Sequence, residues 1–550
     1  MNHLSDQNWL LTAGIFLPLV GAIAVMLVPK AEELLIKALA LGAAVAALVV
    51  GIITAAAYKY GEPGETLQFY VDKSWIPVIH SRYILGMDGI GLPLYLLSMA
   101  IVVLVIIYSW NHIPAPGNPK AFLALILLLE VGMNGTFVAQ DLILFFVFFE
   151  IVLLPMYFMI GVWGGANRQY ASLKFFLFTL FGSAFMLLGF LGLFFKTGAQ
   201  TFSIQDLAGL VQSMGISKGT QTLIFAGMFL GFAIKVPMFP FHTWLPDAHT
   251  EAPTQGSVLL AAILLKLGTF GFIRIGIPIL PLGAKAWAPV IAILAVIGII
   301  YGALGCLAQT DMKRLIAFSS VAHMGFVMLG ISTLTSFGLN AAMFGMVAHG
   351  LITGMLFFVA GSVKERYHTL EIKRLSGMLK QMPHLGWIMG FCAMASLGLP
   401  GLAGFWGEFP AILSTYSPAP GLNLRLFRTC MVIAAVGTVL AAGYLLWLFQ
   451  RTAFGEPAAE FAGGGGDAHG DGAHGDGAHG DGAHGDGAHG DGAHGDDHGS
   501  DVHDVELPEW LAWAPLLLGI VVLGVWPHVL FKVLDPAVGF ALNGVKAIGG

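Results

Sequence analysis

Residues 146–155 read Phe-Val-Phe-Phe-Glu-Ile-Val-Leu-Leu-Pro, an apolar run interrupted once, by Glu150. If that run crosses a bilayer, its carboxyl group is expensive. A charged side chain at the centre of a span costs roughly 2.5–3.5 kcal/mol even on the most permissive insertion scale. The rest of the chain decides that it does cross. Of 550 residues 57% are hydrophobic and 11% charged, with a mean hydropathy of +0.80. A soluble surface needs about 25% charge. The composition excludes a cytosolic enzyme, a DNA binder and a secreted disulfide scaffold. Cys306, Cys392 and Cys430 lie far apart in apolar runs with no C-x-x-C spacing, so they carry no zinc or redox signature. The formal charge of −6 says little about partners, because many of the acids belong to one repeat.

A span takes about 20 mostly apolar residues. That rule predicts an all-α polytopic membrane protein of about fourteen transmembrane helices, near residues 10–28, 35–57, 85–108, 120–138, 141–162, 171–195, 221–240, 255–275, 287–308, 312–332, 338–363, 385–416, 428–450 and 509–533. The first run follows Asp6 with neither a basic segment nor a cleavage site, unlike a signal peptide. Lys364, Arg366, Lys373, Arg374 and Lys380 follow the eleventh run, and Lys313 and Arg314 follow the ninth. The positive-inside rule then makes loops after odd-numbered spans cytoplasmic and puts both termini on the external side.

Residues 463–504 repeat Gly-Asp-Gly-Ala-His and hold eight histidines, from His469 to His503. A segment with no apolar face and many glycines cannot offset its ordering entropy, so disorder is expected. Transient zinc or nickel binding, or proton buffering, is one reading. A solvated linker expanded by repeat slippage is the preferred one.

Three further ionisable residues sit in apolar runs: Lys235 in Gly-Phe-Ala-Ile-Lys-Val-Pro, Lys266 in Ala-Ile-Leu-Leu-Lys-Leu-Gly, and Glu408 in Gly-Phe-Trp-Gly-Glu-Phe-Pro. Any one could pair with another merely to fix packing. Burial favours the neutral form of each and a neighbouring opposite charge favours the ionised form, so together they make a switchable set suited to a proton relay. His323 and His349, in adjacent runs, could bridge it, although a lone intramembrane His is more often a helix–helix hydrogen-bonder. Glu130, within the fourth run, is a further candidate.

Prolines point to the same places. Pro237 and Pro240 follow Lys235, and Pro400, Gly401 and Gly404 precede Glu408, with Pro410 after it. Each Pro removes a helical hydrogen bond, so the seventh and twelfth spans should be broken. Broken helices at matching places in two halves indicate two inverted five-helix repeats with the ion site between them. The expected organisation is a three-helix segment over 1–115, repeats over 116–280 and 281–455, a Gly/Asp/His-rich cytoplasmic loop over 456–506, and a C-terminal helix and tail over 507–550.

At these residues the chain resembles the antiporter-like, proton-pumping subunits of respiratory complex I. The resemblance covers nearly all of 10–455 and the last span. It is carried by Glu150-Ile-Val-Leu-Leu-Pro-Met-Tyr-Phe158, His242-Thr-Trp-Leu-Pro-Asp-Ala-His249, Ala252-Pro-Thr254, Gln309-Thr-Asp-Met-Lys-Arg-Leu-Ile-Ala317 and Ser320-Val-Ala-His-Met-Gly-Phe326. It implies fourteen helices, Glu150 and Lys235 as a pumping pair, Lys266 and the histidines as a central polar axis, and Glu408 as the exit-side acid. An acid at 408, where L- and N-type subunits and sodium/proton antiporter homologues typically carry Lys, narrows it to the M-type branch. Asn111 and His112 stand where many relatives carry an acidic cluster, for which Glu130 is a possible substitute.

The resemblance further implies a bacterial plasma membrane, L- and N-type neighbours, and redox energy supplied by partner subunits that hold FMN and iron–sulfur clusters. This chain shows no nucleotide loop, flavin site or cluster-binding cysteine set, so no cofactor or metal of its own is expected, and no nucleic acid. A multisubunit cation/proton antiporter component is the first rival, disfavoured by Glu408. A divalent-metal transporter with a His-rich loop is the second, and Lys235 and Lys266 would repel its cargo.

Overall fold

The computed structural model describes residues 9–62, 66–461 and 502–548. Among them, twelve helices are long and apolar enough to cross a membrane. They match all of the expected spans but two, those around Lys235 and Glu408, where the helix is interrupted.

The first interruption lies between the helices Lys218–Lys235 and Trp244–Glu251. Pro237 and Pro240 have no N–H to continue the ladder. The orphaned Ile234 carbonyl is instead satisfied by the Trp244 indole N–H, at 2.9 Å. The expected span over 221–240 therefore stops five residues early. The second interruption separates Pro383–Ser396 from Ala403–Ser414. Gly398 and Gly401 turn the chain there at φ of +76° and +92°, conformations that a side chain would strain.

Two helices, Thr254–Ile279 and Ser336–Tyr367, are apolar on every side and buried along a membrane-length stretch, the second exposing only residues near its ends such as Phe337 and Glu365. A helix apolar all round belongs inside other helices. The second packs against Met312–Ser332, Ala403–Ser414, Pro383–Ser396 and Leu507–Val525, and so forms the hub. Outer helices such as Trp9–Leu27, Arg168–Lys196 and Leu424–Ala453 expose Val20, Leu177 and Val439 on faces suited to lipid. The Thr254–Ile279 helix carries π-helical turns at Leu260–Leu264 and Phe272–Gly276, on either side of Lys266.

Three expectations need correction. The chain is not purely helical: strands Gln68–Ile76 and Ser81–Met87 form an antiparallel hairpin with Val71 opposite Leu85. The third helix accordingly begins at Gly91, because the apolar residues from 85 belong to a strand. Asp141 holds the hairpin by accepting from Ser81 Oγ at 3.0 Å and Arg82 N at 3.1 Å while capping the Glu150 helix. The last span ends at Val525, since Pro527 disfavours helical Trp526, and a separate helix runs over His528–Ala541. Lys313 and Arg366, taken as loop charges in fixing the orientation, are both buried. Lys313 Nζ donates to the Ala252 carbonyl, and Arg366 makes a bidentate pair with Glu509 at 2.7 and 3.0 Å.

Most of the His-rich repeat lies outside the described residues, but both of its flanks are fixed. On one side Arg374 pairs with Glu460 at 2.6 Å, Lys380 with Glu456, and Gln381 donates to the Phe461 carbonyl. On the other, the Asp504 carboxylate accepts from the backbone N–H groups of His384 and Leu385 at 2.9 and 3.1 Å. Burial works against that charge, yet these donors and the His384 ring hold it below the ordinary carboxyl range.

Candidate functional site

Lys266 sits in the wholly buried Thr254–Ile279 helix, where no charged partner is within ion-pair distance among the described residues. Its amine turns back to the Ala261 carbonyl, inside the first π turn, and meets His349 Nδ1 at 2.7 Å. The His349 ring lies 6.1 Å from that of His323, centroid to centroid. His323 Nδ1 contacts Glu408 Oε1, while its Nε2 faces Ser396 Oγ at 3.1 Å and Tyr444 Oη at 3.2 Å. Four of the expected residues thus form one string, Lys266, His349, His323 and Glu408, spread over four helices.

Close backbone approach makes the string possible. A Cβ on Gly407 would lie 2.4 Å from Gly345 Cα, so the helices bearing Glu408 and His349 touch there without side chains between them. His349 Nε2 has no partner among the described residues, and His349 lines a cavity of about 20 Å³ together with His323, Thr353, Ser396 and Glu408. That volume accommodates about one water, with several polar partners at hand.

Glu150 and Lys235 form a second group. Lys235 is the last residue of its helix and lies 4.8 Å from the Phe149 ring centroid, a cation–π contact. Lys235 thus packs beside the residue that precedes Glu150, and no direct ion pair joins Glu150 and Lys235 among the described residues. Glu130 stands apart. It is fully buried in the Pro119–Val138 helix, and neither carboxyl oxygen has a hydrogen-bond partner.

His249 was not singled out from sequence. Both of its ring nitrogens are buried without partners, and it stacks on Phe357 at 4.5 Å in the eight-residue helix that follows the break. Its only sequence signal was its place in the quoted His242–His249 string. Ser396 and Tyr444 were missed as well, because a hydroxyl in an apolar run carries no penalty that demands explanation.

One group among the described residues has the composition of a cation site: ligand atoms of His112, Glu365 and Glu509 lie within 4.8 Å of one another. Glu509 already spends both oxygens on Arg366, so a cation would have to displace a guanidinium. The donor set does not suit a metal.

Residues 139–434, more than half of the chain, match the family model described as NADH:quinone oxidoreductase/Mrp antiporter. The chain belongs to that family. Residues 66–136 also match the model for the amino terminus of NADH-ubiquinone oxidoreductase chain 4. Within the NADH:quinone oxidoreductase/Mrp antiporter family, the NADH-quinone oxidoreductase subunit M of Rhodobacter capsulatus is 41% identical over 466 residues, which is 82% of this chain and 88% of that one. The F(420)H(2) dehydrogenase subunit M of Methanosarcina mazei is 41% identical over 414 residues, 74% and 81% of the two chains. A chain of respiratory complex I from Thermus thermophilus superimposes with a TM-score of 0.80 at 28% identity, covering 98% of this chain and all of that one. A chain of the Mrp complex from Dietzia sp. DQ12-45-1b gives 0.73 at 21% identity, a likeness of fold.

Proposed function

We propose that this member of the NADH:quinone oxidoreductase/Mrp antiporter family is a proton-translocating membrane-arm subunit of respiratory complex I. The observation that carries the reading is the buried string from Lys266 through His349 and His323 to Glu408. Every member can hold or release a proton, and each lies at or near contact with the next. The subunit M relatives support the same assignment.

In this reading Glu150 and Lys235 act as a switching pair. Displacing the Lys235 ammonium relative to the carboxylate alters the electrostatic cost of a proton on Lys266, and Glu408 passes protons outward. The two interrupted helices belong to two inverted five-helix repeats within fourteen membrane segments. The membrane is a bacterial plasma membrane with both termini outside, and the neighbours are L- and N-type subunits. NADH oxidation, with FMN and iron–sulfur clusters, takes place in partner subunits. This chain carries out the translocation step and no redox chemistry.

The test is the ratio of protons moved to NADH oxidised by the assembled complex in proteoliposomes. Lys266→Ala and Glu408→Gln should each lower the ratio. An unchanged ratio in both, with assembly verified, would refute the assignment. The cation/proton antiporter reading predicts instead sodium–proton exchange by the chain without NADH.

A further inference from the structure

A cavity of about 820 Å³ is lined by His112, Glu365, Lys313 and Gln255, and lies at the C-terminal end of the hub helix. Glu365 is partly exposed in it, with 40% of its side chain accessible, whereas the His112 side chain is 14% accessible. Tyr108 Oη donates to Glu365 Oε1 at 3.2 Å, and His112 Nε2 lies 3.2 Å from Glu365 Oε2. The His112 ring stacks on Tyr108 with centroids 4.4 Å apart and planes 10° from parallel. Gln255 donates to the His112 carbonyl at 2.6 Å, fixing the turn that presents the ring.

The hydrogen-bond roles constrain the protons. His112 Nδ1 is 2.8 Å from the Tyr108 carbonyl oxygen, which can only accept, so Nδ1 carries hydrogen. A neutral ring then presents a lone pair from Nε2 to Glu365. A lone pair facing a carboxylate at 3.2 Å is repulsive, so one proton must lie between them, on the ring or on the acid. The pair therefore stores a proton, and Glu365 connects that store to the cavity.

Nearby charges leave this proton exchangeable. Arg366, the next residue, is committed to Glu509, which is thereby neutralised. His503 and Glu506 face each other at 2.9 Å on the C-terminal side of the cavity. Glu251, Lys364 and Lys313 complete the charged lining, and the Lys313 amine has one carbonyl acceptor, Ala252.

We propose that Glu365, positioned by His112 and Tyr108, collects protons for this chain from the cavity; the proposal rests on the proton-translocating reading above. A hydronium ion in the cavity gives its proton to the Glu365 carboxylate: one O–H bond of hydronium breaks, one carboxyl O–H forms, and water is left. The acid passes that proton on through cavity water to Lys313 when its amine is neutral, regenerating the carboxylate and leaving an ammonium. No electron is transferred. Glu365 is the exchanging group, and His112 is a positioning residue.

The experiment compares initial rates of NADH-driven pumping by the assembled complex in proteoliposomes across pH 6–9 on the cavity side. Collection matters most where hydronium is scarce. Glu365→Gln should lower pumping at least fivefold at pH 8 and much less at pH 6, and Glu365→Asp should recover most of it. His112→Phe keeps the stack on Tyr108 but removes both ring nitrogens, and should move the pH profile in the same direction. Assembly of every variant complex is verified beside the native one. Native profiles for Glu365→Gln and His112→Phe, with pumping abolished in Lys266→Ala, would overturn this proposal and leave the proposed function standing. Native pumping in Lys266→Ala and Glu408→Gln as well would overturn both. Should Glu365→Gln fail to assemble, the His112→Phe profile decides on the same criterion.

Discussion

Lys266 Nζ and His349 Nδ1 sit 2.7 Å apart, in the two helices that are buried on every side. At that distance one atom donates and the other accepts, so amine and ring cannot both present hydrogen. When Lys266 is an ammonium, a neutral His349 must keep its hydrogen on Nε2, the nitrogen that has no partner among the described residues. A proton on the lysine therefore fixes which nitrogen of the neutral His349 ring carries hydrogen.

Exchange rather than charge should be what matters at position 266. Lys266→Arg keeps the charge but cannot release a proton, because a guanidinium stays ionised. Pumping by the assembled variant should fall at least tenfold. A native proton-to-NADH ratio would mean that the residue acts only through its field.

At the far end of the string, Glu408→Asp should retain part of the pumping and Glu408→Gln should lose it. Tyr444→Phe removes one hydroxyl from His323 Nε2 and leaves Ser396 in place. A hydrogen bond of this kind contributes roughly 1 kcal/mol, so a loss of about fivefold is expected. Equal pumping by the Gln and native forms would make Glu408 a packing element.

Lys235 lies over the ring of Phe149, the neighbour of Glu150, without an ion pair to the carboxylate among the described residues. If they work as a unit, Glu150→Ala with Lys235→Ala should pump no worse than either single variant. Additive losses, measured as proton-to-NADH ratios, would show that the two residues act separately.

Removing Arg366 alone would leave Glu509 charged and buried, at a cost of about 3–5 kcal/mol. Arg366→Ala should loosen the Leu507–Val525 helix and lower the subunit's melting temperature. Arg366→Met combined with Glu509→Leu should recover most of the loss, since replacing a buried pair by apolar residues is often close to neutral. Equal destabilisation in the single and double variants would contradict this account of the pair.

Asp504 offers a pH test outside the membrane. Its carboxyl is held below the ordinary range in the folded chain, so its contribution is complete above about pH 4 and is lost as pH falls through the lower folded value. Hydrogen exchange at His384 and Leu385 should quicken only on strong acidification. Asp504→Ala should quicken it at pH 7, with a destabilisation of about 1 kcal/mol once solvent screening is allowed for.

Much of this site was legible before folding because lipid makes charge conspicuous. Glu150, Lys235, Lys266 and Glu408 announce themselves by interrupting apolar runs, and Pro237, Pro240 and Gly401 mark where helices fail. Pairing was not legible. Lys313 and Arg366 look like loop charges because their partners, Ala252 and Glu509, lie 61 and 143 residues away. The hairpin was hidden because the second strand runs directly into the apolar residues of the third helix. His249 was hidden because a short helix between two breaks has too few turns to display a periodic face.

Gln381, which holds Phe461, and His384, which holds Asp504, are three residues apart in the chain. The insertion between Phe461 and Asp504 thus leaves and rejoins the protein at nearly one point, like a bight of rope tied off at its neck. Its length is thereby free to vary: gaining or losing a five-residue unit should shift no helix and alter no contact from Lys266 to Glu408.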